Sequence, residues 1–173
     1  PFKGTIMAIL ISPMIVPLII TSAGMFFFYS KIGLTHTYLG LILAHTALGT
    51  PFVVITVTAT LTGFDTNLIR ASQSLGADTM RTFFKVIMPL ILPGVISGAL
   101  FAFITSFDEV VVVMFVGSVE QITIPKQMWA GLRQETSPVI LCMATCLVAL
   151  SIALLTTVEL LRRRSERLRG INR

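Results

Sequence analysis

The stretch that decides the fold reads "RASQSLGADTMRTFFKVIMPLILP", residues 70–93. Apolar residues recur at helical spacing on both sides of its centre, at Leu68, Ala71 and Leu75 and again at Met80, Phe83, Phe84 and Ile87. Between the two sets, Gly76 suits the left-handed position after a helix end, and Asp78 suits the cap of the next helix. The pattern predicts a helix–turn–helix within residues 65–89, although a helical pair lying on a membrane surface has the same periodicity.

The chain around this stretch is apolar enough to belong in a membrane. Of its 173 residues, 54% are hydrophobic and 12% are charged, and the mean hydropathy is +0.89, outside the usual balance of a soluble domain. Four runs carry no charged residue: 4–30, 32–64, 86–107 and 136–158. Each is long enough for the roughly 20 residues that a helix needs to cross a bilayer. We therefore expect an all-α integral membrane protein with at least four transmembrane helices.

The uncharged runs also set the expected boundaries. Residues 1–173 are predicted to form a single transmembrane domain with spans at about 5–28, 38–62, 90–117 and 138–161. Residues 65–89 are the loop between the second and third spans, and residues 162–173 are a basic tail. Because the chain opens at Pro1 without an initiating Met, we expect further spans upstream.

The basic residues predict which side of the membrane the loops occupy. Lysine and arginine collect in cytoplasmic segments. An in-out-in-out path places the opening segment, the 65–89 loop and the tail on one side, with ten of the 13 basic residues. The tail is therefore interpreted as a juxtamembrane anchor on lipid headgroups, and no nucleic-acid partner is expected. On the opposite side, Lys126 is expected to face headgroups or a docking protein.

Prolines and glycines interrupt the apolar runs. A proline inside a span frees a carbonyl group that neighbouring helices or polar groups must satisfy, so such helices tend to line cavities. The prolines concerned are Pro13, Pro17, Pro51, Pro89 and Pro93. Gly94 and Gly98 lie four residues apart and predict a face on which a neighbouring helix packs closely.

No motif in the chain predicts catalysis. Cys142 and Cys146 lie on one face of the last apolar run and are interpreted as packing residues. His36 and His45 are nine residues apart, on opposite faces of a helix, and make no metal pair. The glycine-rich lysine motif that cradles ATP phosphates does not occur in the sequence. We expect no metal, no cofactor and no enzymatic activity, so any ATP hydrolysis belongs to a separate subunit.

The 65–89 loop resembles the EAA loop of ABC importer permeases, in which Glu-Ala-Ala, three residues, Gly and nine residues precede Ile-x-Leu-Pro. Ala71, Gly76 and Pro89 match at the family spacing, and Arg70 replaces the usual Glu, which reverses a charge. Ser72, Val86 and Met88 are conservative replacements. The resemblance implies that the loop docks on an ATPase subunit through Arg70, Ala71, Ser72, Gly76, Ala77, Met80, Phe83, Phe84 and Pro89.

A second block, "SFDEVVVVMFVG" at 106–117 followed by "TIPKQMWAGLR" at 123–133, is similar to spermidine/putrescine-type permeases. Its acids, Asp108 and Glu109, fall inside or at the outer edge of the third predicted span. A carboxylate near the bilayer centre costs about 2.5–3.5 kcal/mol, so it usually faces a polar cavity or a partner. We interpret both residues as part of a cation pathway; the alternative is an interfacial acid pair that ends a helix.

Together the two blocks cover nearly the whole chain, as the last four spans of a six-span subunit. The resemblance implies a type I ABC importer (MetI-like) permease fold in the bacterial inner membrane, and an importer for polyamines. The partners it implies are a cytoplasmic ATP-binding subunit dimer, a second identical or different permease and an extracytoplasmic substrate-binding protein. Alternatives are an importer for iron, an opine or an organic anion, and a membrane scaffold that transports nothing. An intramembrane enzyme is disfavoured because no catalytic set stands out in any span.

Overall fold

The computed structural model describes residues 2–134 and 138–168, which form helices joined by short turns. In chain order the helices are α1 (Lys3–Ile15), α2 (Leu18–Ile32), α3 (Tyr38–Thr62), α4 (Asn67–Ser74), α5 (Thr79–Thr82), α6 (Met88–Phe107), α7 (Val111–Val116), α8 (Ile124–Gln134) and α9 (Pro138–Leu168). A π-helical turn, Phe83–Ile87, joins α5 to α6, so that Thr79–Phe107 is one continuous helix. The predicted all-α fold is confirmed for this part of the chain.

The first predicted span, 5–28, is two helices in the structure. α1 and α2 meet at an angle of 109°. Val16, between them, has extended backbone (ψ 135°), as the residue before a proline prefers, and Pro17 caps α2. Pro17 therefore breaks the run where apolarity alone predicted continuity.

α3 and α6 form an antiparallel pair that organises the molecule. α3 begins and ends where the second span was predicted. Three glycines lie at the contact, Gly94 against Thr60, Gly98 against Thr56 and Val53, and Gly49 against Ala102. A Cβ atom on Gly98 would lie 2.8 Å from the Cα of Val53, so the close packing predicted from these glycines is confirmed. We call the end of the pair next to the 65–89 loop the loop end, and the opposite end the far end.

The third predicted span, 90–117, has different boundaries in the structure. The helix begins at Thr79, inside the predicted loop, and ends at Phe107. The π-helical turn lies just before Pro89, where a proline ring would crowd the carbonyl of Lys85 in a regular helix. At the other end, the Glu109 carboxylate accepts a hydrogen bond from the Val112 N–H (2.8 Å) and starts α7 as a separate helix.

The valine run after Asp108 is the core of the described chain rather than the end of a span. Val112, Val113 and Val116 of α7 are fully buried. They cluster with Tyr29 of α2 and with α3 residues Leu41, Ala44 and Leu48. α7 thus plugs the space between α2 and α3 at the far end.

Three helices of the described residues are long and apolar enough to cross a membrane, Tyr38–Thr62, Thr79–Phe107 and Pro138–Thr157, and the bent pair of α1 and α2 is a possible fourth. In the most apolar part of α9, no residue is buried, although several are half-buried. α9 continues as helix into the predicted tail as far as Leu168, and residues 169–173 of that tail lie outside the described part.

Candidate functional site

The turn of the 65–89 loop has the geometry predicted from its glycine. Gly76 has φ +82°, a left-handed conformation. Its N–H donates to the Gln73 carbonyl (3.0 Å), and the Ala77 N–H donates to the Ser72 carbonyl (3.1 Å). These two bonds form a Schellman motif, which satisfies the last carbonyls of α4. The predicted left-handed conformation of Gly76 is therefore confirmed.

The start of the following helix is also capped as predicted. The Asp78 side chain accepts a hydrogen bond from the Arg81 N–H at 2.7 Å, and its backbone is extended, as expected of an N-cap. The turn and the cap together fix the direction in which the chain enters Thr79–Phe107.

A side-chain hydrogen bond that sequence reasoning missed joins the two helices of this loop. The hydroxyl oxygens of Ser72 and Thr82 lie 2.9 Å apart. The Ser72 hydroxyl also lies within hydrogen-bond distance of the Ile69 carbonyl (2.9 Å), and Thr82 is only 2% exposed. Ser72 replaces the second alanine of the EAA pattern, so this replacement supplies the bond. The sequence feature that could have predicted this bond is the presence of a hydroxyl residue on each side of the glycine turn.

The apolar face of the loop is exposed to its surroundings. Leu75 is 88% exposed, and Met80 and Phe84 are largely exposed. The rings of Phe83 and Phe84 meet edge to face, 5.1 Å apart. Of the other residues predicted for docking, Arg70, Ala71 and Pro89 are exposed and Ala77 is half-buried. The predicted docking residues therefore share one helix–turn–helix, and most of them are exposed.

The two acids predicted for a cation pathway have different environments. Asp108 is exposed at the end of α6, on a crevice of about 370 Å³ that is otherwise lined mainly by apolar residues of α6, α8 and α9. Glu109 is 7% exposed, and its carboxylate is bonded to the backbone of α7. The adjacent carboxylates do not share one cavity wall, because the chain turns between them.

A larger cavity, of about 970 Å³, lies against the far end of the α3–α6 pair. α3 contributes Tyr38, His45, Thr46 and Thr50, and α6 contributes Phe103, Ser106 and Phe107. The segment from Glu120 to Pro125 completes the wall. The cavity therefore has hydroxyls, an imidazole and aromatic rings on an otherwise apolar surface.

A polar contact holds α3 to α6 beside this cavity. The Nδ1 atom of His45 lies 2.9 Å from the hydroxyl of Ser106, within hydrogen-bond distance. Glu109 is close enough to His45 for the two side chains to interact electrostatically. Sequence reasoning interpreted His45 only as a satisfied polar residue in a span and did not connect it with the acids.

A set of hydrogen bonds closes the far end of the fold. The His36 N–H donates to the Val116 carbonyl (2.8 Å), and His36 Nδ1 lies 3.0 Å from the Gly117 carbonyl. The Lys126 ammonium donates to the carbonyls of Ser118 (2.9 Å) and Gln121 (3.2 Å). These bonds hold the Lys126 charge on the turn after α7, a role that its prediction for headgroups or a docking protein did not include.

Within residues 2–134 and 138–168, no three side chains of His, Cys, Asp or Glu come together as metal ligands. The arrangement that does occur is an exposed helix–turn–helix at the loop end and a cavity with a few polar groups at the far end. The single helix Thr79–Phe107 reaches both.

Comparisons with known proteins place the chain in a family. Residues 1–167 match the family described as binding-protein-dependent transport system inner membrane component. The spermidine/putrescine transport system permease protein PotC of Haemophilus influenzae is 31% identical over 94% of this chain and 63% of that protein. PotC of Escherichia coli K12 is 30% identical over 94% of this chain and 61% of that protein. The putrescine transport system permease protein PotI of the same strain is 28% identical over 79% of this chain and 51% of that protein.

The chain spans about three fifths of the length of the curated PotC relatives it matches. Among solved structures, an inward-facing MetNI methionine ABC transporter superposes with a TM-score of 0.73 at 23% identity, covering 94% of this chain and 73% of that one. This likeness confirms the type I importer permease fold. The chain belongs to the family of binding-protein-dependent transport system inner membrane components.

Proposed function

We propose that this chain is a permease subunit of an ATP-driven ABC importer that carries polyamines such as spermidine and putrescine across the inner membrane. The observation that carries the proposal is the continuous helix Thr79–Phe107. Its first turn presents Met80 on the exposed loop, and its last turns, from Ala102 to Phe107, lie on the cavity wall. One element therefore joins a docking surface to the cavity.

The mechanism follows from that connection. A helix of 29 residues is about 43 Å long and moves as a unit when one end is displaced. When a pair of ATPase subunits closes on ATP and shifts the 65–89 loop, the far end of the helix moves with it. Access to the cavity then switches from one side of the membrane to the other.

The docking surface is apolar and held in place by the turn. Met80, Phe83 and Phe84 form its centre, and the left-handed Gly76 sets the angle between the helices. The Ser72 to Thr82 hydrogen bond keeps that angle. The proposed coupling residues are Arg70, Ala71, Ser72, Gly76, Ala77, Met80, Phe83, Phe84 and Pro89.

The subunit acts with partners and has no catalytic role of its own. ATP hydrolysis belongs to a cytoplasmic dimer of ATP-binding subunits, because the chain carries no phosphate-binding motif. A second permease completes the pathway. An extracytoplasmic substrate-binding protein delivers the solute, as the family description indicates for its members.

Polyamine is the proposed solute because the relatives named above are spermidine and putrescine permeases. Asp108 and Glu109 are the proposed pathway acids, with different roles. The exposed carboxylate of Asp108 lowers the electrostatic barrier for a passing cation. Glu109 does not line either cavity; it caps α7 and interacts electrostatically with His45.

The test is reconstitution of the protein in liposomes with the permease, ATPase and binding-protein subunits encoded beside it. ATPase stimulation by the loaded binding protein is measured with putrescine, spermidine, iron and organic anions. We expect stimulation by polyamines alone, accompanied by uptake of the labelled polyamine.

Two other results would overturn parts of the proposal. Stimulation by another solute only would keep the permease function and remove the polyamine assignment. Failure to associate with any ATPase subunit would remove the importer and leave a membrane scaffold.

A further inference from the structure

The large cavity at the far end carries negative charge at one place. Among the described residues that line it, Glu120 is the only carboxylate, and no lysine or arginine contributes to the wall. Glu120 follows α7 in the segment that crosses the cavity, and its side chain is exposed. A cation that enters the cavity therefore meets one carboxylate and no lysine or arginine.

The nearest basic residue in the sequence does not neutralise this acid directly. The Lys126 ammonium donates to the carbonyls of Ser118 and Gln121, at 2.9 and 3.2 Å. These bonds hold the lysine on the backbone of the turn. The Glu120 carboxylate stays available for a ligand.

The hydroxyl groups of the cavity wall favour a ligand that donates hydrogen bonds. Thr46 and Thr50 lie one helical turn apart on α3, and both line the cavity. The Thr46 hydroxyl donates to the Ile42 carbonyl, and the Thr50 hydroxyl donates to the Thr46 carbonyl, each at 2.7 Å. Because both protons are committed to the helix, the oxygens present lone pairs, which an ammonium group with three N–H donors can use.

The remaining wall suits the alkyl part of such a ligand. Phe103, Phe107 and Tyr38 contribute aromatic rings, which attract cations through their faces. Apolar side chains such as Val53 and Val54 cover methylene groups. An anion is disfavoured here, because the wall has a carboxylate and no lysine or arginine.

We propose that Glu120 is the residue by which this cavity takes up the ammonium group of an alkylamine, with the Thr46 and Thr50 oxygens as secondary acceptors. The inference rests on the proposed polyamine transport and deepens it. It assigns recognition to a residue outside the Asp108–Glu109 pair and to a cavity separate from the Asp108 crevice.

The test measures protection of a thiol in the cavity, in membrane vesicles that contain the assembled importer. Cys142 and Cys146, both exposed, are first replaced by serine. Ile122→Cys then places a reporter thiol on the cavity wall. Val119→Cys places a control thiol at a site that is 90% exposed and outside the cavity lining. Labelling rates with the neutral reagent N-ethylmaleimide are compared with and without putrescine, and with butane-1,4-diol as an uncharged ligand of the same length.

We expect putrescine at roughly 10 mM to slow labelling at position 122 about threefold, because a partly solvated charge pair adds only a few-fold to affinity. Butane-1,4-diol should have no effect, and position 119 should not respond to either ligand. Glu120→Gln should abolish the protection, and Glu120→Asp should retain most of it. Uptake by the Ile122→Cys protein confirms that the reporter leaves the importer assembled.

Three results would overturn the inference. Protection that persists in Glu120→Gln would remove Glu120 as the recognition residue. Absence of protection, or equal protection by the diol, in an importer that takes up polyamines would remove the cavity as the ammonium site while the proposed function stands. Absence of polyamine uptake by the unaltered importer would overturn the proposed function, and this inference with it.

Discussion

The two ends of the α3–α6 pair are held together by different forces. At the loop end, Gly94 and Gly98 let backbone meet side chain, and the contact is steric. At the far end, beyond the Gly49–Ala102 contact, the His45 to Ser106 hydrogen bond joins the helices beside an open cavity. Close packing of small residues makes a contact that cannot slide, whereas a single hydrogen bond between transmembrane helices contributes about 0.6 kcal/mol. The pair therefore has a firm end and a weaker end, and in the proposed function the firm end receives the force while the weaker end changes shape.

The largest loss of stability is expected from a substitution at the firm end, where the two helices touch at Gly98. We expect Gly98→Leu to destabilise the protein by about 3 kcal/mol, because its Cβ would lie 2.8 Å from the Val53 Cα and the helices must separate. Thermal stability in detergent, followed by size-exclusion chromatography, measures the loss. Gly24→Leu in α2 is the matched control, since nothing lies within 4 Å of that site. Equal stability of the two variants would contradict a tight contact at Gly98.

A second substitution leaves the Gly94 and Gly98 contacts intact and changes only the turn of the 65–89 loop. Gly76→Val meets no neighbouring atom, but at φ +82° it strains the backbone by about 1–3 kcal/mol. We expect uptake to fall about tenfold while ATPase activity persists, since misplacement of the turn uncouples the two. Gly63→Val is the control, because Gly63 also has open space around it and has an ordinary φ of −89°. Normal uptake by Gly76→Val would count against the coupling role.

The adjacent acids at the far end sharpen the comparison, because one is structural and the other is exposed. Glu109→Ala removes the hydrogen bond to the Val112 N–H and should cost about 1–2 kcal/mol of stability. Asp108→Asn should leave stability unchanged and lower the maximal rate of polyamine uptake several-fold. Both proteins are compared for thermal stability and for uptake by the assembled importer. Unchanged uptake in Asp108→Asn would assign that residue to the end of α6 alone.

The smallest effect is expected for the hydrogen bond of the weak end. Ser106→Ala should cost about 0.6 kcal/mol, because half-buried His45 beside an open cavity regains a water partner. Chemical denaturation in mixed micelles measures the difference, with Ser97→Ala, half-buried on the same helix, as the control. A loss as large as that of Gly98→Leu would remove the distinction between the two ends.

The elements predicted correctly were those that local chemistry determines. Gly76 and Asp78 specified the turn and its cap, because a left-handed residue and an N-cap carboxylate act on neighbouring atoms. The bounds of α3 followed from the apolar run alone. The break at Pro17 was within reach of the same reasoning, but apolarity outweighed the proline in the prediction.

The end of the third span was missed for a different reason. The prediction joined the uncharged run to the valines after Glu109 in one membrane span. In the structure, the Glu109 carboxylate starts a separate short helix. That helix is buried against α2 and α3, far away in sequence. Hydropathy cannot distinguish a valine that faces lipid from one that faces protein, since both environments are apolar.

The sequence by itself determined that this is a helical membrane protein with a Gly76-centred helix–turn–helix, because composition, charge placement and turn chemistry act locally. Only the tertiary structure decided which of two neighbouring carboxylates is buried, that Ser72 bonds Thr82, and that Glu120 lies on a cavity. Those outcomes depend on where α7 and the segment after it settle against α3 and α6. Contacts between residues far apart in the chain leave no periodic trace in the sequence.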